Sequence, residues 1–151
     1  MANPLIGIHA GLGEFGIFVF LWMFVELLNP TATRMKRAKI ACVIGLILIM
    51  LSWLAGGYYY VNIYGPEVKP LIKEGPIPWA HLVFTETKEH IFLFIPILSM
   101  LITTILFNVD INKASKSLLM LLGLVILLGL SMAGMGYIIS TGARTALEAM
   151  V

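Results

Sequence analysis

Three histidines, His9, His81 and His90, are the side chains of this sequence best suited to metal or proton chemistry, and ionisable neighbours flank two of them. Glu14 follows His9, while Glu86, Lys88 and Glu89 lead up to His90. Iron in a porphyrin takes two axial imidazoles, one from each side of the ring, with small residues leaving room for the macrocycle. His9 precedes Asn29 by about 20 residues and His90 precedes Asn108 by about 18. With both asparagines at one membrane surface, a rise of about 1.5 Å per residue brings the two imidazoles within about 3 Å of a common depth. Gly13 and Gly16 share a helical face with His9, and stripes of small residues recur at Gly45, Ser52 and Gly56 and at Gly129, Ala133, Gly136 and Ser140. The expectation is a haem b held by His9 and His90, with Gly13 and Gly16 leaving space and Lys88 and Arg144 facing the propionates. The same stripes are also the ordinary device for close packing of membrane helices.

Glu86 stands at i−4 from His90 on one helical face, where a carboxylate can orient an imidazole or, with Glu14 and Glu89, accept protons from a quinol. Thr85 to His90 equally reads as a solvated, charged helix face. His81 lies about 13.5 Å farther along the same helix than His90, too far to share its iron. It is expected at an outer docking surface or at a second metal. No Cys-x-x-Cys-His sequence occurs, which excludes covalently attached haem, and the one cysteine, Cys42, has no disulfide partner.

The elements that must position these groups follow from composition. Of 151 residues 60% are hydrophobic and 12% charged, against about 45–50% and about 25% in soluble domains. Ten Lys/Arg against eight Asp/Glu give a net charge of +2 and no basic face for nucleic acid. Four apolar runs approach the roughly 20 residues that a helix needs to cross a bilayer: 4–28, 37–60, 78–107 and 115–140. None alternates with period two, so helices are expected rather than a barrel. The fold class is an all-α, integral membrane, up-down-up-down four-helix bundle forming a single domain over 1–151. No cleavable leader pattern precedes the first span. Arg34, Lys36, Arg37 and Lys39 load the first connection, Lys113 and Lys116 the third, so the positive-inside rule places both termini on the extracytoplasmic side of the cytoplasmic (inner) membrane. The second connection, 61–77, holds Pro66, Pro70, Pro76, Gly65 and Gly75 and is expected to be a non-helical outer cap. Tyr58, Tyr59, Tyr60, Tyr64 and Trp79 are expected as an aromatic belt beside it.

Pro4 to His9 (P-L-I-G-I-H), Gly56 to Tyr59 (G-G-Y-Y) and Glu89-His90 resemble short motifs of a family of small four-helix bacterial membrane proteins similar to b-type cytochromes. The resemblance implies haem ligation by His9 and His90 and an electron-transfer role. The function expected is a haem b subunit passing electrons between the quinone pool and an extracytoplasmic redox partner such as a cytochrome, at most one electron-transfer subunit of an oxidoreductase complex. Bound quinone, surrounding lipids, other redox subunits and further copies of the chain are the expected partners. Two alternatives stand beside it: a non-haem metal site built from His9, Glu14, Glu86 and His90, and a cofactor-free scaffold subunit.

Overall fold

The computed structural model describes residues 3–108 and 116–150. Every element in it is helical: α1 (Pro4–Leu28), α2 (Ala32–Tyr59), a π-wound segment π1 (Tyr60–Val68), α3 (Lys69–Glu74), a second π-wound segment π2 (Ala80–Thr85), α4 (Glu86–Asn108) and α5 (Lys116–Glu148). Four helical stretches, 4–28, 32–74, 80–108 and 116–148, are long and apolar enough to cross a membrane. Their outward faces carry Phe15, Phe18, Ile47, Phe94 and Leu127, each more than half exposed, which is the surface that lipid rather than water favours.

Local chemistry explains where the helices begin. Asn3 accepts the Leu5 N–H at 3.0 Å and Pro4 occupies the first turn, so α1 starts with one of its free donors satisfied and with no N–H at Pro4. Thr31 accepts the Arg34 N–H at 3.2 Å and starts α2 at Ala32. The expected span began at Arg37; the cap moves Arg34, Lys36, Arg37 and Lys39 out of the connection and onto the first turns of α2. Arg34 and Arg37 then reach back to Glu26 of α1 at 3.0 and 2.9 Å, and Trp22 donates to the same carboxylate at 3.1 Å.

The expected outer loop is a second correction. Residues 60–74 continue the line of α2 as π1 and α3. Pro66 lies within π1, where its missing N–H leaves one bond of the five-residue ladder unmade. Pro70 sits in the first turn of α3, the position where proline costs least. The third span enters through π2 before α4, and the fourth runs past Ser140 to Glu148, so Arg144 lies within α5 and not beyond it. Lys113 and Ser115 fall outside the described residues.

α1 packs on α2 and α5, and α4 packs on α2 and α5, which leaves α1 and α4 on a diagonal. Gly13 lies against Ser52, Gly16 against Ile49 and Gly45 against Phe20 along the α1–α2 seam, while Ile17 meets Gly129 between α1 and α5. In lipid there is little hydrophobic drive for helix association, so such small-residue contacts carry the packing. Phe20, Met23, Leu27, Met35, Ile102, Leu106, Leu122 and Val125 fill the interior on the side of Asn29 and Asn108. Toward the opposite end a second cluster joins Tyr64, Ile72 and Ala80 to Ile138, Ile139 and Ala143 of α5. This is the capped end of the molecule.

Candidate functional site

The π-wound segments bring six polar side chains together at the capped end. Tyr64 of π1 is buried; its hydroxyl lies 2.9 Å from Nδ1 of His81 and 2.8 Å from Oγ1 of Thr85. His81 is 1% exposed, and its Nε2 stands 3.4 Å from the Glu86 carboxylate. Thr85 also donates to the Ala80 carbonyl at 3.3 Å. Both His81–Glu86 and Ala80–Thr85 are five residues apart, the separation that π-winding stacks. Beside them Tyr60 donates to Glu89 at 2.5 Å, and its ring stacks on Tyr64 with centroids 5.5 Å apart.

This network can be satisfied in two proton states. With His81 neutral, Nε2–H donates to Glu86, the Tyr64 hydroxyl donates to Nδ1, and Thr85 donates to Tyr64. With His81 protonated, Nδ1–H donates to Tyr64, Tyr64 donates to Thr85, and Thr85 donates to the Ala80 carbonyl. The Tyr64 and Thr85 hydroxyls turn between the two states, and in the neutral one the Ala80 carbonyl gives up its bond from Thr85. A fully apolar surround would penalise the charged state heavily; here the carboxylates of Glu86, with its side chain 46% exposed, and Glu89 offer countercharge, and the ammonium groups of Lys69 and Lys73 oppose it. The hydrogen bonds thus have one consistent arrangement for each proton state of His81.

A second constellation lies deeper in the bundle. Ser52 of α2 donates its hydroxyl proton to the His9 carbonyl at 2.8 Å. The His9 Nδ1, 2.9 Å from the Ser52 carbonyl, must then be the protonated nitrogen, since a carbonyl only accepts. Gly56 permits this approach: a Cβ there would stand 2.6 Å from Nδ1. The ring of α4 that meets His9 is Phe92, at 6.2 Å between centroids, with Trp53 stacked on it at 5.9 Å. Lys88, one turn from Phe92 on the same face of α4, extends to α5, where a Cβ on Gly136 would be 3.1 Å from Nζ.

The structure brings His9 and Lys88 into one region and leaves His90 elsewhere. His90 is exposed and donates from Nδ1 to the Glu86 carbonyl of its own helix at 2.6 Å. Two residues from Phe92, it points to the opposite side of α4. The space between α1 and α4 is thus met by Phe92 where a porphyrin would lie, and the residues present do not fit a haem between His9 and His90. Gly13 and Gly16 are spent on the α1–α2 seam, with Ser52 Oγ and Ile49 Cδ1 each 3.0 Å from a Cβ built on them. Arg144 is exposed and donates to Ser140 of its own helix, and Glu14 is exposed on α1. Among the described residues no three His, Cys, Asp or Glu side chains converge as metal ligands.

His81 is corrected from an outer docking or second-metal residue to a buried one with both nitrogens engaged. Tyr59, Tyr60 and Tyr64 join the second cluster, which leaves Tyr58 and Trp79 as the exposed members of the expected belt. Sequence reasoning passed over Thr85 and the chemistry of Tyr60 and Tyr64. The signal available was the four-residue spacing of the two tyrosines in one helical run, with Thr85 next to Glu86. The chain matches no family model, no curated protein and no solved structure.

Proposed function

We propose that this chain is a multi-pass subunit of a membrane redox complex at whose capped end a hydroquinone is oxidised and surrenders its protons. The observation that carries this reading is the Tyr64–His81–Glu86 chain, satisfied with or without the added proton. Glu89, held by Tyr60, is the second acceptor for a reaction that releases two protons. The two electrons leave one at a time to a haem or iron–sulfur acceptor on a partner subunit, so that hydroquinone gives quinone, two protons and two electrons. Transmembrane proton conduction is not part of this reading. Beyond His9 and Ser52 the interior is filled mainly by Phe20, Ile102, Leu106 and Leu122, with the Ser99 and Thr103 hydroxyls bonded to carbonyls of their own helix.

The proposed orientation is an up-down-up-down bundle in the cytoplasmic (inner) membrane with the capped end and both termini extracytoplasmic. The pairing of His9 with Ser52, Trp53 with Phe92 and Ile17 with Gly129 supports it, as does the cluster Arg34, Lys36, Arg37 and Lys39 at the other end. Haem b on His9 and His90 is not carried forward, because His90 is exposed and bonded to its own helix while the ring of α4 that meets His9 is Phe92.

The test is calorimetric titration of the nanodisc-embedded protein with a short-chain hydroquinone. Saturable binding is expected, weakened at least ten-fold, or about 1.4 kcal/mol, in Glu89→Gln. Lack of saturable binding, or identical binding by Glu89→Gln and His81→Ala, would overturn the proposal.

A further inference from the structure

Near the level where His9 and Ser52 join α1 to α2, two strong hydrogen-bond donors make no hydrogen bond or ion pair among the described residues. The Trp53 indole N–H is fully buried without an acceptor. The Lys88 ammonium reaches α5 beside Gly136, and among the described residues no carboxylate stands within ion-pair distance of it. Both flank Phe92: Trp53 stacks on its ring, and Lys88 lies one turn away on the same helix face. Buried polar groups are nearly always bonded, which makes the Trp53 N–H an exception, and the half-buried Lys88 ammonium adds an unpaired positive charge to the same region. His9 lies within electrostatic reach of Lys88, and its Nε2, the unprotonated nitrogen, can accept one N–H at most, leaving two on Lys88 and the indole N–H unspent.

Two donors, one of them cationic, with no acceptor define the complement: an anionic oxygen group of more than one lone pair. Gly136 on α5 leaves the space, since any side chain there would meet Nζ. The apolar faces of Trp53 and Phe92 suit the stem of an amphiphile rather than a hydrated ion. We propose that this level of the bundle binds a carboxylate through Lys88 and Trp53. The site is independent of the hydroquinone reading, which rests on other residues.

The experiment uses the full chain in nanodiscs and oleate labelled with ¹³C at the carboxyl carbon. A protein-bound carboxyl resonance distinct from that of oleate in empty nanodiscs is expected, saturating at one equivalent. It is lost at least ten-fold in Lys88→Met and kept in Lys88→Arg, which preserves the charge if the methionine variant unfolds. Labelled acetate forms the second arm. Acetate binding with the same Lys88 dependence, and no oleate binding, supports the site and makes its carboxylate water-borne. Absence of a bound resonance for both probes, or one indifferent to Lys88→Met and Trp53→Phe, overturns the proposal.

Discussion

At the scale of single residues, the Tyr64 hydroxyl is the hinge of the capped-end network, because it is the one group that touches both His81 and Thr85. Tyr64→Phe keeps the ring stack on Tyr60 and removes only the oxygen, leaving Nδ1 of a fully buried imidazole without a partner. The expected loss is about 1–3 kcal/mol, the usual cost of an orphaned buried polar group, seen as a lowered unfolding midpoint in detergent. An unchanged midpoint would mean that water or lipid already supplies that bond. Cys42 shows the opposite case of a polar side chain with no chemical task. It is fully buried and 3.2 Å from Thr103, so a maleimide should leave it unmodified until the chain unfolds.

At the scale of elements, the difference between expectation and structure comes down to winding. Counting residues at a fixed helical pitch put His9, His81, His90 and the acids beside them in one half of the bundle; His81, Glu86 and Glu89 join the capped-end network, while His9 lies deeper against Ser52. The same counting paired Glu86 with His90, whereas π2 turns the Glu86 side chain to His81 and leaves His90 only the Glu86 carbonyl. A change of ladder from four to five residues is invisible to apolar periodicity. Pro66 and Gly65, which read as loop residues, lie within π1. The start of α2 was missed for a simpler reason: Thr31 is a cap, but the cations after it read as a connection. Close packing gives a test at this scale. A Cβ on Gly142 of α5 would stand 2.8 Å from that of the buried Ala80, whereas Gly134 faces open space. Gly142→Ala is expected to destabilise by about 1–3 kcal/mol through overpacking, and Gly134→Ala to be neutral or to stabilise by up to about 1 kcal/mol through helix propensity. Equal effects of the two substitutions in thermal unfolding would contradict the α5–π2 contact.

At the scale of the whole molecule, the two ends differ in kind. One carries Glu26 clamped by Arg34 and Arg37 beside an apolar interior; the other carries the tyrosine, histidine and carboxylate network. The composition made the four spans legible, because length and apolarity alone select them. It left the inward turn of Tyr60 and Tyr64 illegible, since a tyrosine at a membrane boundary suits a lipid-facing belt equally well. In a Cys42→Ser background, Lys69→Cys is expected to react with an impermeant thiol reagent added to intact cells, and Lys36→Cys only after permeabilisation. The reverse pattern would invert the proposed orientation. The central claim, that the His81–Glu86 pair and Glu89 at the capped end receive protons from a hydroquinone, is tested most directly by time-resolved infrared spectroscopy of the carboxylates. Nanodiscs loaded with protein and a short-chain hydroquinone are flashed with a ruthenium polypyridyl complex as the one-electron oxidant. A transient C=O stretch of protonated carboxyl that vanishes in the Glu86→Gln, Glu89→Gln double variant is the expected result. A spectrum without that band, or with the same band in the double variant, contradicts the claim.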